Sequence, residues 1–306
     1  MGKKKRTVEL TERDIELLKM LAEHIAIKTD NVGRLYQTEK YHTARLKKLK
    51  DAKYIKNSYG YVLLGIEGER YLKSIGITPK AKPPSKSNYL ERVKQRSDLY
   101  FDFLGSSWRF IDGRELKKQY GSIDRSSMFI GLLSGWTEYM VYFLTKYYDK
   151  KQIENMKHEI SNLYRLGIYR AVIFYKDRKE RERYRDESLG IKEQLLLPYS
   201  VGVELLKKHG EKDIVRAAAE KVYGVLREPS WKEADFEAEG KQIMVLILND
   251  IEKKAKIRNY LDLTTFRYTE RQEIEILCLE EQEEVFRDEF PECSIRTIST
   301  EEVLRL

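Results

Sequence analysis

Residues 10–74 read LTERDIELLKMLAEHIAIKTDNVGRLYQTEKYHTARLKKLKDAKYIKNSYGYVLLGIEGERYLKS, and this stretch decides the fold of the front of the chain. Thr11 suits a helix N-cap: its hydroxyl accepts the backbone N–H of Asp14, and the Asp14 carboxylate returns the bond. Ile15, Leu18 and Ala22 recur at helical spacing, with Leu17 and Leu21 widening the stripe, so a first helix is expected to about His24. Ile25-Ala26-Ile27 reads as a short edge strand. Thr29 or Asp30 then caps a second helix carrying Val32, Leu35 and Tyr36, and Gln37-Thr38-Glu39 reads as a polar turn. A third helix is expected from about Lys40 to Ala52.

Leu46 and Leu49 define the buried side of that third helix, and at about 100° per residue His42 falls with them, as a packed or hydrogen-bonded histidine. Lys40, Tyr41, Ala44, Lys47 and Lys48 fall on the opposite face, with Thr43 and Arg45 on the flanks. Such a face suits a DNA major groove: lysines meet phosphates or guanine edges, and alanine permits close approach. Two β-prone runs, Tyr54-Ile55-Lys56-Asn57 and Tyr61-Val62-Leu63-Leu64, flank Ser58-Tyr59-Gly60 and predict a hairpin. It stands where the wing of a winged helix-turn-helix belongs, and Lys56, Asn57, Tyr59 and Tyr61 are its candidates for the sugar–phosphate backbone or a minor groove. Glu67 to Ser74 reads as a last short helix, ended by Gly76 and Pro79.

Charge is segregated in the same way. The 306 residues carry a net charge of +8. Residues 1–86 hold 20 basic and 10 acidic side chains, whereas residues 270–306 hold 4 basic and 12 acidic ones. A basic head favours a polyanionic partner. The bland alternatives are a helical bundle with a solvated lysine face, or a winged helix that docks protein. Hydrophobic residues at 41% suffice for a core. Without a run of about 18 apolar residues, no membrane span is expected. The start, Met1-Gly2-Lys3-Lys4-Lys5-Arg6, reads as a solvated basic arm: no signal-peptide core follows it, and Arg6 stands where myristoylation wants Ser or Thr. Cys278 and Cys293 make neither a disulfide framework nor a zinc site, which fits a reducing cytoplasm.

Leu10-Thr11-Glu12-Arg13-Asp14, Thr43-Ala44-Arg45-Leu46-Lys47-Lys48-Leu49, Asp51-Ala52-Lys53-Tyr54-Ile55 and Leu63-Leu64-Gly65-Ile66-Glu67-Gly68 together resemble the N-terminal half of the replication-relaxation proteins of Gram-positive plasmids and integrative elements. The resemblance covers about residues 8–76. It implies a role in plasmid replication and DNA relaxation.

Pro79-Lys80-Ala81-Lys82-Pro83-Pro84-Ser85-Lys86-Ser87 holds three of the six prolines and reads as an extended joint. The expected organisation is therefore a winged helix-turn-helix at 1–78, a linker at 79–88 and an α/β domain with a mixed central sheet at 89–306. In that body, Tyr89 to Leu104 reads as a helix, and Met128 to Leu133 and Tyr139 to Leu144 as strands around the turn Ser134-Gly135-Trp136. A helix from Lys150 to Leu166, the strand Ala171 to Tyr175, the charged run Lys176 to Asp186 as solvated helix or loop, and a strand at Leu195 to Leu197 follow. The last quarter repeats the rhythm of strand and helix, which argues for a covered sheet.

By resemblance, the hairpin, long helix and next strand match a restriction-endonuclease-like core, whose carboxylates hold magnesium and whose lysine orients the attacking water. This sequence departs from that pattern. The first hairpin strand offers Phe129, Gly131 and Leu132 where a carboxylate belongs, and the second offers Tyr142, Phe143 and Leu144 with Lys146 alone beyond. Asp112-x-x-Glu115-x-Lys117 has the right residue types but helical spacing, and Asp177 is a weaker candidate. The four histidines are scattered, no tyrosine has a catalytic setting, and Gly65-Ile66-Glu67-Gly68 lacks the Lys-Ser or Lys-Thr of a phosphate loop.

The leading expectation is a non-enzymatic, sequence-specific binder of double-stranded DNA, serving replication or transfer initiation at an origin, with no catalytic residue, metal or cofactor assigned. The body would dimerise the protein or recruit replication or relaxosome proteins, and a dimer would read half-sites about one helical turn apart. The alternatives are a magnesium-dependent nuclease or relaxase and a transcriptional regulator with a sensing domain.

Overall fold

The computed structural model describes residues 8–36, 41–79, 87–121, 123–124, 126–266 and 272–306, and divides into two units between Asp102 and Phe103. The fold is mixed α/β with mixed sheets. Among the described residues no helix is long and apolar enough to cross a membrane.

In the first unit, Thr11 and Asp14 form the expected capping box at the start of α1 (Glu12–His24). β1 (Ala26–Lys28), α2 (Thr29–Tyr36) and α3 (Tyr41–Asp51) follow. The expected turn at Gln37-Thr38-Glu39 and the residue Lys40 lie outside the described residues. α3 ends in a Schellman motif: Tyr54 N–H donates to Leu49 O at 2.9 Å, Lys53 N–H donates to Lys50 O at 2.9 Å, and Lys53 takes a left-handed φ of 62°. The chain then forms β2 (Ile55–Ser58) and β3 (Tyr61–Leu64).

Ser58 pairs with Tyr61, so two residues make the turn. Tyr59 (φ 46°) and Gly60 (φ 78°) are both left-handed, as a type I′ hairpin requires. β1 adds to β3 in an antiparallel sheet of order β1-β3-β2. α4 (Ile66–Ser74) follows, and Leu17, Leu18, Leu21, Val32, Leu46, Leu49, Ile55, Val62 and Leu72 form the core beneath helices and sheet.

The helix expected from Tyr89 is α5 (Ser87–Phe103). The division falls at its end and not in the proline-rich joint expected at 79–88, of which residues 80–86 lie outside the described residues. The reason is apolar: Val93, with Leu90 beside it, packs on Ile25, Ala26 and Leu63, so α5 covers the sheet of the first unit.

The second unit begins with β4 (Arg109–Asp112), α6 (Gly113–Gln119), β5 (Gly131–Ser134), β6 (Glu138–Phe143), α7 (Lys150–Ser161), β7 (Arg170–Tyr175), α8 (Arg178–Arg183), β8 (Glu193–Pro198), α9 (Tyr199–Glu211) and α10 (Ile214–Tyr223). It continues through β9 (Phe236–Ala238), β10 (Lys241–Val245), α11 (Ile251–Phe266), β11 (Ile274–Leu279), α12 (Glu283–Glu289), β12 (Ser294–Ile298) and α13 (Thr300–Arg305). The strands make two sheets, of order β4-β5-β6-β7-β8 and β12-β11-β10-β9.

The repeated rhythm seen in the sequence is a repeated topology. β5 and β6 form an antiparallel hairpin, β6 continues in parallel to β7, and β7 to β8, each through a helix. β9 and β10 likewise form a hairpin, then β10, β11 and β12 run in parallel with α11 and α12 between them. Each module closes on a helix, α9 or α13. Parallel strands need such crossovers, and their double-sided burial explains the near-continuous apolar runs of β7 and β11.

The joint between the two modules is polar. Asn249 donates its side-chain N–H to Leu196 O at 2.8 Å, Asp250 accepts Gln194 N–H at 3.0 Å, and Glu252 accepts from Ser188 and Leu189 at 2.6 and 2.8 Å. Lys254, almost fully buried, pairs with Asp186 at 2.9 Å and with Glu289 at 3.1 Å.

Candidate nucleic-acid interface

α3 presents Thr43, Ala44, Lys47, Lys48 and Lys50 to solvent while Leu46 and Leu49 are buried, the division that its periodicity predicts. Tyr41 is the first residue of α3, and its side chain lies outside the described residues. His42 is half-buried with its ring against Gly33, where an added Cβ would meet Cε1 at 3.3 Å.

Arg45, expected on the flank of the reading face, is turned inward. Its Nε donates to both Asp14 oxygens at 3.1 Å, and its terminal nitrogen also bonds Asp14 and the carbonyl of Glu9. Asp14 is fully buried, and accepts the Tyr36 hydroxyl at 2.7 Å and Thr11 N–H at 2.7 Å. Burial alone would raise the Asp14 pKa, but Arg45, Tyr36 and Thr11 together outweigh it and hold the carboxyl below its ordinary value. Arg45 thus serves the core, and the exposed cations of α3 are lysines. No local pattern announces this pairing, because Asp14 also fits the capping box of α1 and lies 31 positions away.

In the hairpin, Lys56 and Asn57 are exposed and Tyr59 is 92% exposed at the apex. The tip is pinned: Thr29 donates both its N–H (2.9 Å) and its hydroxyl (2.8 Å) to Gly60 O. Tyr61 is not exposed with Tyr59; its hydroxyl donates to Asp98 of α5 at 2.5 Å.

The positions expected to mimic a nuclease centre do not converge. Asp112 caps α6 through Arg114 N–H at 2.7 Å and also pairs with the Arg114 guanidinium. Glu115 is exposed, while Lys117 donates to Ser127 O at 3.0 Å and lies over the Phe129 ring. Asp177 caps α8, and Lys146 Nζ lies over Tyr147.

A carboxylate does reach the start of β5, and sequence reading missed it. Glu159 of α7 accepts Met128 N–H at 2.7 Å, Phe129 N–H at 3.2 Å and the Tyr142 hydroxyl at 3.1 Å. Burial raises its pKa despite those three bonds. Nothing in the local pattern of α7 announces that role. Gly131 itself has no room for a side chain: an added Cβ would meet Ile111 O at 2.4 Å and the Phe110 ring at 2.5 Å. Among the described residues, no group of three or more His, Cys, Asp or Glu is placed to hold a metal ion.

The charged run at 176–186 is less solvated than its composition suggests. Glu180 is buried and accepts the N–H groups of Lys146 and Lys176 at 3.1 and 2.8 Å. No family model matches the chain, and comparisons with curated proteins and with solved structures return no match.

Proposed function

We propose that the first unit is a winged helix-turn-helix that binds double-stranded DNA, with α3 as the reading helix and β2-β3 as the wing. The observation that carries this is the exposed face of α3, where Lys47, Lys48 and Lys50 surround the small residues Thr43 and Ala44. Lysines on such a face meet phosphates, and small residues let the helix approach base edges. The rigid two-residue turn supports it, since a pinned tip holds Tyr59, Lys56 and Asn57 in a fixed direction.

The protein then acts as a sequence-specific binder at a replication or transfer origin of a plasmid or mobile element, in the cytoplasm, with the second unit as a dimerisation or recruitment module. The order β4-β5-β6-β7, with α7 before β7, supports reading that module as a restriction-endonuclease-like scaffold. The satisfied Glu159 and the closed space at Gly131 favour a scaffold without nuclease chemistry.

The test is fluorescence anisotropy on duplex DNA tiled across the native replicon, between 50 and 200 mM salt. Lys47→Ala/Lys48→Ala is expected to weaken binding about 10- to 100-fold and to reduce the log–log salt slope by about 2, since each phosphate contact contributes roughly 0.9. An unchanged affinity and slope would remove α3 as the reader.

A further inference from the structure

The hairpin is braced from behind. Lys94 of α5 is largely buried, and its Nζ lies 4.6 Å from the ring centroid of Tyr61 and 5.7 Å from that of Tyr59. One turn further on, Asp98 accepts the Tyr61 hydroxyl at 2.5 Å. Burial, with Asp98, Glu91 and Asp102 nearby, raises the Tyr61 pKa and keeps the hydroxyl a donor. Three fixed points therefore hold the hairpin: Thr29 on the Gly60 carbonyl, Asp98 on the Tyr61 hydroxyl, and the Lys94 ammonium on both rings.

A cation within about 6 Å of a ring centroid is attracted by the ring quadrupole, more strongly when desolvated. Lys94 satisfies this for two rings that lie on either side of the turn glycine. Tyr59 is the more exposed of the two, and without Lys94 its αL backbone position alone would not fix its ring.

We propose that Lys94 and Asp98 are positioning residues for DNA recognition: they set the direction in which the hairpin presents Tyr59 to the sugar–phosphate backbone. This rests on the reading of the first unit as a DNA binder. Neither residue needs to touch DNA. Lys94 acts through the Tyr59 ring and Asp98 through Tyr61, so α5 becomes part of the recognition unit.

The experiment is a double-mutant cycle in the full chain at 0.15 M salt, where charges beyond about 8 Å are screened. Lys94→Met, Asp98→Ala and Tyr59→Ala are each expected to weaken duplex binding about three- to tenfold, the scale of one cation–π or hydrogen-bond contact. In the Tyr59→Ala background, Lys94→Met is expected to weaken it no further, a non-additivity that loss of charge or general destabilisation would not produce. Hydrogen exchange of the amides from 55 to 64, measured without DNA, is expected to quicken in Lys94→Met and Asp98→Ala. Additive losses in the cycle would overturn the positioning role while leaving DNA binding intact. Unchanged exchange in both variants would overturn the brace whether or not DNA binds. Failure of the unaltered protein to bind any tiled duplex at 50 mM salt would overturn the DNA reading itself.

Discussion

Asp14→Ala is expected to destabilise the first unit by about 3–5 kcal/mol, because it removes one partner of a buried ion pair and leaves the other charge uncompensated. Asp14 is fully buried, and the Arg45 side chain is 11% exposed. The substitution strips three things at once: the anion facing Arg45, the acceptor of the Tyr36 hydroxyl, and half of the capping box on α1. Arg45→Met should cost less, about 2–3 kcal/mol, since the Asp14 carboxylate keeps its bonds to Thr11 and Tyr36. The double variant should cost less than the sum of the two, the mark of a coupled pair. Native-state hydrogen exchange of α1 and α3 amides reads the first unit alone.

The same pair carries a pH signature. The folded Asp14 pKa lies below its ordinary value of 3.8, so the stability that ionisation confers is fully present above about pH 4. It is lost as pH falls through the folded pKa. Arg45→Met should weaken that acid dependence, whereas the salt slope of DNA binding should not change, because Arg45 is committed to Asp14 and Glu9. A slope reduced by about 1 in Arg45→Met would return Arg45 to the reading face.

That contrast marks how far the sequence could be read. Local chemistry was legible. Thr11 and Asp14 announced the cap of α1, Leu46 and Leu49 announced which side of α3 is buried, and Ser58-Tyr59-Gly60 announced the turn, although Ser58 belongs to β2. Each depends on residues within one or two helical turns or a two-residue loop. The pairing of Arg45 with Asp14 was not legible because the partner is distant in sequence, and a flanking arginine on a basic helix has the same local pattern whether it faces phosphate or a buried carboxylate. Glu159 was invisible for the same reason: its three donors come from β6 and the approach to β5. The boundary expected at 79–88 followed proline composition, whereas the division of the chain follows the apolar contact of Leu90 and Val93 with the sheet. In the second unit, strong apolar runs such as β7 and β11 were legible, but the three-residue β9 was not. Such a strand is defined by pairing with Lys241–Ile243 and not by its own composition.

The polar joint in the second unit supports the other large prediction. Asp250 is 4% exposed and immediately precedes α11, its Oδ1 accepting the N–H groups of Gln194 and Glu252, each at 3.0 Å. Glu193 lies near it, paired with Arg170 at 3.3 Å and accepting the Tyr139 hydroxyl at 2.5 Å. Burial and the Glu193 charge push the Asp250 carboxyl up to about 7, against the pull of Lys253, whose ammonium is held by Asp235 at 2.7 Å. An acid raised in the folded state remains protonated there while the unfolded chain ionises. Stability conferred by that proton therefore falls as pH rises from about 4 through 7, and the penalty is complete above 7. Asp250→Asn keeps the Oδ1 acceptor for both N–H groups and puts an amide donor in place of the second charge-bearing oxygen. It is expected to exceed the stability of the unaltered protein by on the order of 1–2 kcal/mol at pH 5 and on the order of 4 kcal/mol at pH 8. Calorimetric melting of both proteins at pH 5, 6.5 and 8 checks this. Equal destabilisation of Asp250→Asn at all three values would mean that the joint depends on an ionised Asp250. The modules would then be held by charge at a place where burial disfavours it, and Lys253 and not the proton would be the partner that matters.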